Sequence, residues 1–254
     1  MTLSCALDPA RARALQAALG DPATLDAGDP LPPFAHQIYF WDPQPPAALG
    51  RDGHPATGGF MPDLGLPRRM WAGGELVFHA PLRAGIKARK ESRIESVTRK
   101  SGRSGPLGFV RVRHDIVQRG ALCVTEWQDI VYREDDAPSA APVPARTDEE
   151  VAIPFAPDST LLFRYSALTF NGHRIHYDAD YARTVEGYVG LVVHGPLLAH
   201  LLMRLAESRA PLTRFVYRAR GPLILPETAA ICAKGPDLWV RAADGRLCME
   251  GWAG

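Results

Sequence analysis

Apolar and polar positions alternate with period two through GFVRVRHDIVQRG and ALCVTEWQDIVYRE, which predicts two strands joined by a turn at Gln118, Arg119 and Gly120. Residues 215–218 and 238–241 have the same period. Asp244-Gly245 supplies the residue pair that a type I′ hairpin turn favours. Residues 195–206, GPLLAHLLMRLA, follow another pattern: they are apolar almost all round a helix, and Pro196 falls in the first turn, where no backbone N–H is needed. That segment is predicted as a buried helix. Residues 11–19 are also helix-like, but lie too early to be its counterpart. Residues 49–70 are rich in Gly and Pro and read as an irregular loop.

The same signals recur in the same order at both ends of the chain. Gly120-Ala-Leu-Cys-Val-Thr-Glu-Trp127 and Gly245-Arg-Leu-Cys-Met-Glu-Gly-Trp252 both read G-x-L-C-x-x-x-W. Upstream of each, an apolar run leads into Pro-Leu, at Pro81-Leu82 and Pro222-Leu223. Ordered echoes of this kind point to a duplicated unit. Residues 134–160 lie between the copies, are rich in Pro, Ala and acidic residues, and read as an extended linker. The expected organisation is a first half at 1–133, the linker at 134–160 and a second half at 161–254. A buried helix wrapped by a curved antiparallel sheet is the hotdog arrangement. The expected fold class is therefore α+β, a double hotdog whose first copy is degenerate because it lacks a comparable helix.

The chain has 254 residues, 46% of them hydrophobic, which suffices for a real core, and a formal net charge of +1. That balance argues against coating nucleic acid or an anionic membrane. The 29 basic residues include only four lysines, and arginine suits specific anion contacts. Cys5, Cys123, Cys232 and Cys248 are far apart, without metal or redox spacing, and read as free thiols in a reducing compartment. The opening residues MTLSCALDPARARAL lack a basic segment followed by a long apolar run, so no signal peptide or membrane helix is expected, and the expected location is cytoplasmic. No G-x-S-x-G elbow, P-loop or dinucleotide fingerprint is present, and no cofactor is expected.

Chemistry concentrates in Phe163-Arg-Tyr-Ser-Ala-Leu-Thr-Phe-Asn-Gly-His-Arg-Ile-His-Tyr-Asp178, followed by His194-Gly195 at the start of the buried helix. An imidazole with an unperturbed pKa of about 6.5 can both take and give protons. His176 is the candidate for that work. Asp178, two residues on, is a candidate to orient it. His173 stands three residues before His176, a spacing that also invites a metal, but no third ligand has matching spacing. His173 and His194 are each open to a site-lining or a structural role. Tyr165 and Tyr177 read as packing residues, Tyr165 also as a wall of the pocket, and His200 as a core histidine.

This segment resembles the R-specific enoyl-CoA hydratases of the MaoC type, whose motif runs roughly S-G-D-x-N-P-I-H and whose helix is entered through H-G-x-L. Here the chain reads Thr169-Phe-Asn-Gly-His-Arg-Ile-His176 and His194-Gly-Pro-Leu197. The wording SALTFNxHRIHYD looks closer still to the mesaconyl-CoA and itaconyl-CoA hydratases and the mitochondrial type-2 3-hydroxyacyl-thioester dehydratases. RMWAGGELVFHAPLRAG in the first half is similar to that subgroup too, so the resemblance covers about residues 34–252.

It implies a hydro-lyase acting on an acyl-CoA thioester, with the degenerate first half forming part of the acyl tunnel. His176 takes the place of the motif histidine, Asn171 that of the motif aspartate and His173 that of the motif asparagine. An amide takes no proton at neutral pH, though its oxygen can accept and its nitrogen donate a hydrogen bond to water. Proton transfer then falls to His176, and one base on one face would give syn addition. Hydration builds negative charge on the thioester oxygen, which a backbone N–H at a helix N-terminus stabilises. Gly195 is the expected donor, because Pro196 has none. His173, His194 and Tyr165 are the expected substrate-contacting residues.

Arg68, Arg69, Arg83, Arg89 and Arg93 are candidates for CoA phosphates or a substrate carboxylate. Within this class a dehydratase of fatty acid synthesis is the competing expectation, and a long tunnel of Leu and Val would favour it. Outside it stand a hotdog thioesterase, disfavoured because the helix has no carboxylate before Glu207, and a non-catalytic acyl-CoA-binding module. Pairing of the two halves within one chain and association into a homodimer are both open.

Overall fold

A computed structural model describes residues 1–102, 105–135 and 141–254. The first half runs β1 (Thr2–Cys5), α1 (Pro9–Ala18), β2 (Arg68–Phe78), β3 (Ala88–Gly102), β4 (Gly105–Gln118) and β5 (Ala121–Arg133). The second half repeats the plan: β6 (Val151–Phe155), α2 (Ser159–Thr169), the short α3 (Ala179–Thr184), α4 (Gly195–Arg209), then β7 (Arg214–Ala219), β8 (Ala229–Lys234), β9 (Asp237–Ala242) and β10 (Leu247–Ala253). Strand order across the single antiparallel sheet is β1-β3-β4-β5-β2-β7-β10-β9-β8-β6. Each half contributes five strands in the same order, read outward from a seam where β2 pairs with β7. The two G-x-L-C echoes run into equivalent strands, β5 and β10, and the two Pro-Leu pairs follow β2 and β7.

The alternation in β4 works as predicted. Val110, Val112, His114, Ile116 and Gln118 are buried on the concave side, while the residues between them are half exposed. The β4–β5 turn has positive φ at both Arg119 and Gly120, with Gln118 opposite Ala121. The type I′ geometry expected of Asp244-Gly245 falls here instead. At 242–246 only Gly245 is left-handed, and its N–H closes on the Ala242 carbonyl in a longer loop.

Helix α4 is the predicted buried helix. It packs against β7 to β10 and β2, with Leu197, Ala199, Leu202 and Met203 fully buried. In the first half the equivalent space holds only a 3-10 turn, Ala35–Ile38, packed by Phe34, Ile38 and Phe40. The segment read as a linker is only partly one: β6 lies within it and pairs with β8 at the sheet edge. The missed signal is its short V-A-I-P-F run, with Pro154 tolerable because edge strands need not donate on both sides. Residues 136–140 of that segment lie outside the described residues. Helix α2 was also missed, although Asp158 caps it by accepting the Leu161 N–H at 2.7 Å. It packs against α1, its mate in the first half.

Candidate active site

Three pieces of the second half converge where α4 begins. Asn171 ends the turn after α2, and its side-chain oxygen accepts the His173 N–H at 3.0 Å. That local turn fixes the amide and uses one of its oxygen's two lone pairs. A 3-10 turn, Arg174–His176, then presents His176 inward. The His176 Nδ1 lies 2.7 Å from the Val192 carbonyl. A carbonyl only accepts, so Nδ1 must carry the proton, and the neutral ring keeps its lone pair on Nε2. Burial, then the neighbouring His194 and His173, hold His176 well below its ordinary pKa, so this neutral tautomer persists at neutral pH. Asp178 does not orient the ring, contrary to expectation. It caps α3 through the Tyr181 N–H at 2.9 Å and pairs with Arg174 at 2.7 Å.

The ring of His194 stacks on that of His176, with centroids 3.7 Å apart and planes at 21°. His194 also caps α4, so the backbone carrying it leads directly into Gly195. Its Nε2 is 2.8 Å from Ser166 Oγ on α2, and Tyr165 meets its ring edge-on at 5.0 Å. The Tyr165 hydroxyl is buried without a partner among the described residues. At Gly195 a Cβ would lie 2.9 Å from Cε3 of Trp71 on β2, so glycine is what lets the indole lie against this helix start. Trp71 in turn stacks on Tyr217 of β7 at 4.6 Å. Of the residues predicted for the site, His194 meets both His176 and Tyr165, and Gly195 directly follows it. His173 adjoins His176 at 5.4 Å, and Asn171 braces His173. His200 is buried further along α4, against Phe34.

Two groups were not foreseen. Arg68 and Glu186 form a buried ion pair, Nε to Oε2 at 3.0 Å, with a second guanidinium bond to the Glu186 carbonyl at 2.9 Å. Burial would raise the Glu186 carboxyl, but His173 and Arg68 beside it hold it below the usual range. The His173 Nε2 is 3.7 Å from that carboxylate, too long for a hydrogen bond. The second group is the loop at residues 50–56, which docks on the site from the first half. Gly53 makes this possible: its φ is +86°, and a Cβ there would sit 2.0 Å from the Gly172 carbonyl oxygen. The Asp52 carbonyl accepts the Arg174 N–H at 2.9 Å. The loop places His54 against His173, ring centroids 4.5 Å apart, with its Nδ1 donating to Asp52 at 2.8 Å. Neither long-range contact leaves a signal in sequence spacing.

Asp52, His54 and His173 bring three potential metal-ligand atoms within 4.8 Å of one another. Within this group Asp52 and His54 are hydrogen-bonded to each other, and His173 packs against His54. Asp52 already accepts from His54, and burial followed by the field of Arg69 pushes His54 down to about 4.

The match to the model of the hydroxyacyl-thioester dehydratase type 2 (Htd2) family covers residues 34–225, most of the chain, and the protein belongs to that family. Over 220 residues it is 50% identical to a mesaconyl-C(4)-CoA hydratase of Chloroflexus aurantiacus, spanning 84% of this chain and 79% of that one. A mitochondrial type 2 hydroxyacyl-thioester dehydratase of Schizosaccharomyces pombe is 28% identical over 83% of this chain and 80% of its own. HtdX of Mycobacterium tuberculosis superposes with a TM-score of 0.69 at 19% identity, covering 100% of this chain and 99% of that one. A conserved M. tuberculosis protein described as a double hotdog gives 0.59 at 14%, covering 100% and 94%. The fold is thus the double hotdog, and the protein is a hydro-lyase of the hydratase and dehydratase type. Among the described residues no helix is long and apolar enough to cross a membrane.

Proposed function

We propose that the protein hydrates a short, branched enoyl-CoA carrying a second carboxylate, of the mesaconyl-C4-CoA type, with His176 as the single acid–base group. The observation that carries this reading is the tautomer of His176. Its Nδ1 proton is committed to Val192, so Nε2 is a neutral base beside the start of α4. The thioester oxygen accepts the Gly195 N–H. As the water oxygen bonds to the β-carbon, Nε2 removes its proton and charge moves to the thioester oxygen. The imidazolium then returns that proton to the α-carbon on the same face. Asn171 contributes through its amide nitrogen and through bracing His173; His173, His194 and Tyr165 wall the substrate.

The concave face supports a short acyl group over a fatty one. Along β2 and the strands beside it, this face carries Trp71 and Ile130, then Gly74, Gln128 and Tyr217, then Leu76, Glu126 and His114. Glu126 is 1% exposed and bonded to His36 Nε2 at 2.9 Å and to Gln37 and Gln128 at 2.7 and 2.8 Å. A long alkyl chain laid there would meet this polar network, losing the favourable transfer of about 0.8 kcal/mol per methylene. We place the enzyme in the cytoplasm, where its four free cysteines stay reduced. The sheet edges at β1 and β6 leave room for pairing into a homodimer.

A panel of enoyl-CoA thioesters, followed by loss of the conjugated double bond, tests the reading. Mesaconyl-C4-CoA should have the highest kcat/KM and trans-2-octenoyl-CoA a value at least about 100-fold lower. Preference for octenoyl-CoA would instead assign the protein to fatty acid synthesis.

A further inference from the structure

Beside the proposed base, a set of donors has no acceptor among the described residues. Arg68 and Arg69 are neighbours on β2, and alternation sends them to opposite faces of the strand. Arg68 is consumed by Glu186. Arg69 lies directly across from Tyr132 of β5, on the concave side, and among the described residues it has no ion-pair partner. Tyr132 is 1% exposed, and among the described residues its hydroxyl, beside Arg69, has no acceptor. The same is true of His173 Nε2, in a side chain that is 7% exposed on a whole-residue basis. His54 commits its Nδ1 proton to Asp52, and its neutral ring packs against His173 as a wall of this space rather than as a donor. Leaving one such buried donor unmade costs about 1–3 kcal/mol, so two together with an unpaired guanidinium need a physical reason.

We infer that Arg69, Tyr132 and His173 form an anion subsite that binds the free carboxylate of the substrate. This rests on the reading of a dicarboxylic enoyl thioester. Position supports it. In a mesaconyl-C4 thioester the free carboxyl is bonded to the very carbon that takes up water, so it must lie next to the base. His173 is 5.4 Å from the His176 ring, and His54 lies 4.5 Å beyond it. Charge supports it as well. The Arg68–Glu186 pair is internally neutral, and both Asp52 oxygens are engaged by His54, through its ring and its backbone N–H at 3.0 Å. Arg69 is therefore a cation on the concave side that stays open to an incoming carboxylate. The apolar lid of Leu64, Met61 and Phe60 over Tyr132 keeps the subsite dry, which strengthens charge-assisted bonds made within it.

The test compares wild type, Arg69→Gln and Tyr132→Phe, each as the full chain, on mesaconyl-C4-CoA and crotonyl-CoA, with product inhibition by free CoA as a further readout. Arg69→Gln should lower kcat/KM for mesaconyl-C4-CoA by about 100-fold, the scale of losing a hydrogen-bonded charge pair. Crotonyl-CoA turnover and the inhibition constant of CoA should change less than about threefold. Tyr132→Phe, which removes only a hydroxyl, should show the same selectivity with a loss of about tenfold. Equal losses on both substrates, or weakened inhibition by CoA, would assign Arg69 to the fold or to the coenzyme and overturn the subsite. So would undiminished mesaconyl-C4-CoA turnover in both variants, while leaving the substrate reading intact. A wild-type chain that hydrates crotonyl-CoA but not mesaconyl-C4-CoA would remove both.

Discussion

Replacing His176 with alanine lowers turnover at least about 100-fold, the usual scale for losing a positioned acid–base group. The loss falls on kcat more than on KM, because the Gly195 amide and the groove walls remain. No neighbour can substitute. The Asn171 amide does not titrate, and the stacked ring of His194 is tied through Nε2 to Ser166 Oγ at 2.8 Å. Tyr165 is held by burial far above neutral, so it donates without giving up its proton. The same argument sets the pH dependence. His176 is depressed well below its unperturbed value of about 6.5. The base form therefore predominates from neutral pH down through 6.5, and the acidic limb of kcat/KM falls well below 6.5. A limb near 6.5–7 in the wild-type enzyme, or a His176→Ala protein with normal turnover on every enoyl-CoA, would remove the imidazole from the mechanism.

Arg68→Met destabilises the fold by about 3–5 kcal/mol, the range expected when one partner of a buried ion pair is removed. Both residues are more than nine-tenths buried, so water does not reach the abandoned carboxylate. Glu186 would be left with only the Tyr181 hydroxyl, 3.4 Å away, and His173 at 3.7 Å. The double variant Arg68→Met/Glu186→Gln should recover at least half of the loss, because it removes the unpaired charge as well as its partner. Urea unfolding of the three proteins decides the matter. A single variant within about 1 kcal/mol of wild type would mean that the pair contributes little. A double variant no better than the single would mean that the arginine acts by packing rather than by charge.

The chain's own alternation and repeats show much of this architecture, and they do so where the signal is local. The strands β4, β5, β7 and β9 follow from period-two alternation. The duplication follows from two short echoes that land in equivalent strands. Helix α4 follows from its apolar circumference. What stayed hidden was set by distance or by short length. Strand β6 offers five residues in a Pro-rich stretch, and α2 is a short helix whose local signal is its Asp158 cap. In the site, the order N-x-H-x-x-H and the H-G pair bring His176, His194 and Gly195 into one frame. The Val192 carbonyl that fixes the tautomer lies sixteen residues from His176, and backbone acceptors carry no sequence signature. His54, Asp52 and Arg69 come from the other half of the chain. Only the close approach of Gly53 to Gly172 and the seam between β2 and β7 put them beside His173.

Hydration of the preferred enoyl-CoA in D2O, with the product examined by proton NMR, bears most directly on the one-imidazole mechanism. A single deuterium at the α-carbon, on the same face as the new hydroxyl, is the predicted outcome. Deuterium on the opposite face would require a second acid across the substrate and would contradict the account.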